Sequence, residues 1–235
     1  MKDFISNIGP IGPIIIWKIW CSRNKCIFED IKHSIQEIGA QVLSSLHHIL
    51  KAFAHPTSHS VQQPARIVSW QRPSMNSVAL NVDGNVFLDS NLGSFGGLIR
   101  DHTSSFLHGF FGKNSRPCIL HVEISGLYHG LKLCWDIGIK HVVCHSDSTT
   151  VVDLVQKDLN VHHKYGNLIM AIKKLLRRDW VVSLRHTLCE GNAAADFLAK
   201  KGALSDTSLV ILNEAPPDIA FVLLADAVGV KFVRP

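Results

Sequence analysis

Hydrophobic and polar positions alternate in two distinct textures along this chain. Before residue 55 the apolar residues recur at helical steps. Ile31, Ile35, Ile38, Val42, Leu46 and Ile49 fall three or four apart, one stripe of an amphipathic helix within a helical stretch over 14–54. The stretch from His55 to Arg72 is rich in Pro, Ser, Gln and His and predicts a linker. From Val78 the pattern becomes strand-like, with runs at Val78–Leu88, Gly96–Asp101 and Ser105–Gly112. Gly93 and the Gly96-Gly97 pair suit a turn or a close backbone contact.

The second half alternates helix and strand. A helix is predicted over Leu120–Asp136, with Ile124, Leu127, Leu131 and Trp135 on one side and Gly138 as its stop. A strand follows at Lys140–His145. Ser148 is placed to cap a helix running to Lys157, whose apolar content is Val151, Val152, Leu154 and Val155. A helix at Tyr165–Arg178, a strand at Trp180–His186 and a helix at Gly191–Gly202 complete the series. The order is β-β-β-α-β-α-α-β-α. Three consecutive strands form an antiparallel meander, and two more, reached through helices, extend it in parallel. The expected fold class is therefore α/β: a mixed five-stranded sheet with helices on both faces, preceded by a small helical segment. The expected divisions are a helical segment over 1–55, a linker over 56–72, a sheet domain over 73–204 and a tail over 205–235, with one possible helix at Asp218–Asp226.

Composition narrows the class. Of the 235 residues, 46% are hydrophobic and 18% charged, enough for a real core and too apolar for a disordered chain. The net charge of +5 is compatible with a polyanionic partner without requiring one. The six cysteines are scattered, so no disulfide framework is expected. Cys134 and Cys144 fall in apolar segments and read as small buried hydrophobes. Cys21 and Cys26 lack a second ligand pair for zinc. The apolar run Ile11–Trp17 is too short and too broken to span a bilayer, which takes about 20 apolar residues. No secretory leader is evident. The expectation is an intracellular monomer, in the nucleus or the cytoplasm, with no membrane association.

Four acidic residues stand out by context. Asp83 follows the apolar strand Val78–Val82, and Asp147 follows Val142-Val143-Cys144. Glu123 opens an apolar helix, and Asp196 sits in a small-residue helix. Unit charges about 4 Å apart interact by roughly 4 kcal/mol at an effective dielectric near 20. A fold tolerates such a cluster when divalent cations neutralise it, so the pattern points to Mg²⁺ chemistry. Each acid also has a plainer reading: strand-end solvation for Asp83 and Asp147, complementarity to a helix N-terminus for Glu123, and an exposed helix acid for Asp196. Asp89, Asp101 and Asp153 lack the same context and read as solvated.

These positions, with their neighbours, resemble the type-1 ribonuclease H domains of plants, which are related to the C-terminal part of non-LTR retrotransposon reverse transcriptase polyproteins. The residues that carry the resemblance are Leu80-Asn81-Val82-Asp83-Gly84, Gly96–Asp101, Val122-Glu123-Ile124, His145-Ser146-Asp147-Ser148 and Glu190–Lys200, in that order. It covers Trp70 to the C-terminus. Upstream, Trp17–Lys25 is similar to the stretch that follows the zinc-binding region of such reverse transcriptases. Three positions depart from the pattern: Val122, His145 and Cys189, the last standing where the plant pattern has Arg.

The resemblance implies an Mg²⁺-dependent endonuclease, a hydrolase cutting the RNA strand of RNA–DNA hybrids. It implies two metal ions, with Mn²⁺ as a possible substitute, held by Asp83, Glu123, Asp147 and Asp196. His186 matches the family's mobile histidine, a proton shuttle or product-release aid; its plainer reading is a surface histidine among fourteen. Lys173, Lys174, Arg177 and Arg178 form a basic group suited to phosphates, or equally a solvated helix face. Asn81, Asn85, Ser125 and Asn192 are candidates for contacts with sugar hydroxyls, since the 2′-OH distinguishes RNA from DNA. Trp135 and Trp180 read as core rather than as base-stacking platforms. The alternative function is a catalytically weak or inactive nucleic-acid-binding module derived from such an enzyme.

Overall fold

The computed structural model describes residues 11–29, 31–43, 66–87, 91–114, 118–157 and 163–234. The chain divides into two compact units. One is Trp70–Leu223; the other comprises the flanking parts, up to Ser69 and from Leu224 onward.

The larger unit is built on a six-stranded sheet. Its strands are β2 (Val78–Phe87), β3 (Leu92–Arg100), β4 (Phe106–Asn114), β5 (His141–Ser146), β6 (Val181–His186) and β7 (Val210–Leu212), in spatial order β6-β5-β2-β3-β4-β7. β2, β3, β4 and β7 pair antiparallel, while β5 and β6 extend the sheet in parallel from β2. Its helices are α2 (Ile119–Asp136), α3 (Thr149–Gln156), α4 (Gly166–Leu176) and α5 (Ala193–Ala203), and α6 (Ala220–Ala227) runs across the division at Leu223. The mixed α/β architecture is the expected one. The sheet gains a sixth strand from residues expected as tail, because Phe110 and Phe111 on β4 offer an edge that Ile211 and Val210 can pair with.

Two glycines show that helices cover both faces. Gly84 and Gly96 lie on opposite sides, because Gly96 pairs with Asp83 and side chains alternate along a strand. A Cβ on Gly84 would come within 2.6 Å of the Glu123 backbone nitrogen on α2. A Cβ on Gly96 would collide with the backbone of Leu198 and Ala199 on α5. Gly96 therefore makes a close contact rather than a turn, and the strand runs from Leu92 through Gly93.

Burial on both faces explains the near-continuous apolar texture of β2, where Ala79, Leu80 and Val82 are fully enclosed. The core beneath α2 joins Leu80, Val82 and Phe95 to Ile124, Leu127, Leu131, Val142, Cys144, Val151, Ile169 and Ile172. α2 is stopped by Gly138, two residues past its end, whose φ of +79° only glycine adopts cheaply, with Ile139 donating back to the Cys134 carbonyl.

The smaller unit contains α1 (Ile11–Glu29) and a second helical stretch over 35–43. The single expected helix is thus interrupted. Ile31 lies in the non-helical break, and Ser34 with Glu37 restarts the helix by a reciprocal pair of hydrogen bonds, 2.7 and 3.2 Å. Leu46 and Ile49 lie outside the described residues. β1 (Arg66–Val68), expected as linker, pairs antiparallel with β8 (Phe232–Arg234), expected as tail. The possible helix at Asp218–Asp226 appears as a 3-10 turn, Pro217–Ile219, leading into α6. Among the described residues no helix is long and apolar enough to cross a membrane.

Candidate metal centre

Register brings the first two acids together. Val82 on β2 pairs with Ser146 on β5, so Asp83 and Asp147, one residue further on parallel neighbours, lie side by side. Glu123 reaches them from the first turns of α2 because Gly84, without a Cβ, lets that helix approach. The Gly84 backbone lies close enough to the Glu123 carboxylate to lower its pKa slightly, against the larger effects that raise it. One ligand atom each from Asp83, Glu123 and Asp147 lies within 4.8 Å of the others.

The three carboxylates are an electrostatic load. Burial, then Asp147, Glu123 and Asp196, hold the Asp83 carboxyl well above its ordinary range. Burial and Asp147 push Glu123 up to about 8. Glu123 Oε2 and Asp147 Oδ1 are buried with no hydrogen-bond partner among the described residues. Orphaned buried carboxylate oxygens are costly. Hard oxygens converging on one point form the donor set that divalent cations such as Mg²⁺ or Mn²⁺ prefer, so these residues fit a metal ion.

Asp196 stands beside the trio rather than in it. It lies in the first turn of α5, and Lys200 pairs with it at 3.2 Å. Burial raises its carboxyl, Lys200 opposes the rise, and Asp147 adds to it. His186 ends β6, exposed, with Nε2 3.2 Å from the Asp147 carbonyl oxygen.

The candidate sugar contacts divide. Asn85 is half-buried on β2. Asn81 and Asn192 are 1% exposed, so both are corrected to interior residues: Asn81 Nδ2 donates to Asn192 Oδ1 at 3.0 Å, and Asn192 Nδ2 to the Val82 carbonyl at 2.9 Å. Ser125 is also buried, its hydroxyl donating to the His121 carbonyl at 2.8 Å. Polar residues near an active-site motif look alike in sequence whether they face solvent or the interior.

Lys173 and Lys174 lie in the last turn of α4, followed by Arg177 and Arg178. The Lys173 ammonium is engaged by the Lys157 carbonyl. Arg178 lies over the Trp135 ring at 4.7 Å, and Trp135 meets Trp180 edge-on at 5.5 Å. Trp135 and Trp180 are half-buried. Cys134 and Cys144 are buried, and burial pushes the Cys134 thiol up to about 12.

Sequence reasoning missed three contributors: Lys200 beside Asp196, Trp70 and Arg100 as donors to Asn81, and Gly84. Only Gly84 carried a signal, a glycine directly after the strand acid.

A mixed sheet covered on both faces, with acids at neighbouring parallel strand ends, is a ribonuclease H-like fold. The N-terminal RNase H domain of a Mycobacterium tuberculosis protein superposes on it with a TM-score of 0.50, at 20% identity, over 54% of this chain and 93% of that one. The RNase H1 of Halobacterium salinarum gives 0.49, at 19% identity, over 54% of this chain and 96% of that one. The chain belongs to the reverse transcriptase-like family, whose model matches residues 81–202. The Arabidopsis thaliana protein named "Putative ribonuclease H protein At1g65750" is 27% identical over 227 residues, 93% of this chain and 36% of that relative. The chain thus spans about a third of that relative's length.

Proposed function

We propose that this protein hydrolyses the RNA strand of RNA–DNA hybrids as a type-1 ribonuclease H, with Asp83, Glu123 and Asp147 holding Mg²⁺. The convergence of these three carboxylates, two of whose buried oxygens are otherwise unpartnered, carries the reading. The name of the Arabidopsis relative and the ordered motifs support the substrate class. Mg²⁺, as two ions in this reading or replaced by Mn²⁺, supplies an activated water and charge neutralisation at the scissile phosphate.

The chain's own groups do the rest. Gly84, lacking a Cβ, lets α2 bring Glu123 to the strand end. Asp196 completes the acidic rim, with Lys200 restraining it. His186, exposed beside the Asp147 backbone, is placed to carry a proton between the centre and solvent. Lys174, Arg177 and Arg178 are exposed cations suited to hybrid phosphates, and Asn85 remains the candidate for a sugar hydroxyl. Asn81 and Asn192 drop out of that role.

The test is a labelled RNA–DNA hybrid incubated with the protein, with and without Mg²⁺. Mg²⁺-dependent cleavage of the RNA strand, abolished by Asp83→Asn, is expected. No cleavage, or equal cleavage by the variant, refutes the reading.

A second reading is a nucleic-acid-binding module without turnover. It is favoured by the Cys189 thiol, which lies against the Asp147 carboxylate and is pushed up to about 11 by burial and that neighbour. Hybrid retardation in a gel without cleavage in the same mixture selects it.

A further inference from the structure

Four side chains behind the acids form one buried polar chain. Trp70 is 5% exposed, Asn81 1%, Arg100 0% and Asn192 1%. Trp70 Nε1 and Arg100 Nη2 both donate to Asn81 Oδ1, at 3.0 and 2.9 Å. The Arg100 guanidinium also lies 3.8 Å from the Trp70 ring centroid. With two donors on its oxygen, one of them cationic, the Asn81 amide has a fixed orientation. Its nitrogen must then point to Asn192 Oδ1, which in turn directs Asn192 Nδ2 to the Val82 carbonyl.

The two ends of this chain carry acids. Asn81 is two residues before Asp83 and on the same face of β2. Asn192 is four residues before Asp196, and its carbonyl accepts the Asp196 N–H at 3.1 Å. The glycine contact at Gly96 sets how close α5 comes to the sheet, but van der Waals contact resists sliding only weakly. Directional hydrogen bonds between Asn192 and both Asn81 and the Val82 backbone set where along β2 the helix begins.

We infer that Trp70, Asn81, Arg100 and Asn192 are positioning residues that fix Asp196 relative to Asp83 and so shape the metal centre. The inference rests on the proposed metal-dependent reading. The four touch neither substrate nor metal; they hold the elements that do. Such supporting groups typically alter metal affinity or activity by about 10–100-fold when removed.

Trp70→Phe keeps the ring face under Arg100 and removes one donor. Asn192→Ala removes the link to both Asn81 and Val82. Ile172→Val, on the core-facing side of α4, is the control that lowers stability without touching the chain of amides. Each protein is studied below its thermal transition by calorimetric titration with Mn²⁺ in the absence of hybrid, and by cleavage kinetics at varied Mg²⁺. The expected result for Trp70→Phe and Asn192→Ala is Mn²⁺ affinity weakened by about 10-fold and kcat lowered by about 10–100-fold, with KM for the hybrid within about twofold. Ile172→Val keeps both parameters. A fall in Tm with wild-type Mn²⁺ affinity and kcat would overturn the inference, leaving a purely structural role. Absence of Mn²⁺ binding by the wild type would overturn it too. If the wild type binds Mn²⁺ but cleaves nothing, the nuclease reading fails alone, and weakened Mn²⁺ binding by Trp70→Phe still supports the positioning role.

Discussion

Gly84 and Gly96 hold a helix each to the sheet through what they lack. At Gly96 the obstacle to a methyl group is the backbone of Leu198 and Ala199, which cannot rotate away. Gly96→Ala is expected to cost about 3 kcal/mol and to displace α5 with its Asp196; chemical denaturation measures the first and loss of cleavage the second. Gly166, at the start of α4, has nothing within 4 Å of its missing Cβ. Gly166→Ala should therefore change stability by no more than about 0.5 kcal/mol, in the favourable direction. Glu123 gives a pH dependence with a definite sign. Its carboxyl titrates near 4.5 in an open chain and about 8 in the folded protein. The fold holds that proton more tightly, so the stabilising contribution is complete below 4.5 and disappears as pH rises through about 8. In chelator, wild-type stability should fall across that window, and Glu123→Gln should flatten the slope. Thermal melts across the pH range check both.

At the scale of elements, the helix after Asp147 begins on a cap. The Ser148 hydroxyl accepts from the Val151 N–H at 3.4 Å, and the Ser148 carbonyl accepts from Val152 at 3.2 Å. Ser148→Ala is expected to cost about 0.5–1 kcal/mol, read by urea denaturation, and to loosen the turn that presents Asp147. This cap was legible in sequence because a serine before an apolar run is a local signal. The same holds for Gly138 at the end of α2. Other elements were less legible. β7 has three residues, and what makes it a strand is the open edge of β4. The break at 31–34 in the smaller unit interrupts an apolar stripe that periodicity alone reads as continuous. β1 and β8 are strands only as partners of each other.

For the whole molecule, the acidic trio is a cost to stability that a bound cation would offset. Without a cation, three carboxylates within 4.8 Å repel one another; with one, the repulsion becomes attraction. A divalent ion at ten times its dissociation constant should add about 1.4 kcal/mol to the unfolding free energy of the wild type. Glu123→Gln should lose most of that gain while being the more stable protein in chelator at pH above about 8, where Glu123 is ionised. Differential scanning calorimetry with and without Mn²⁺ decides it, and a metal effect equal in both proteins would contradict the assignment of Glu123.

The sequence by itself determined the order of helices and strands in the larger unit, and which acids merited attention. Both are local properties: apolar periodicity follows from which face of an element is buried, and an acid ending an apolar run is visible without knowing its neighbours. Tertiary structure decided which residues those acids and their polar neighbours meet. The register that sets Val82 against Ser146 joined Asp83 to Asp147. The pairing of Asn81 with Asn192, 111 residues away, took two candidate sugar contacts into the interior. An amide has the same local signature whether it meets a ligand or another amide, so its partner is fixed only when distant segments pack together.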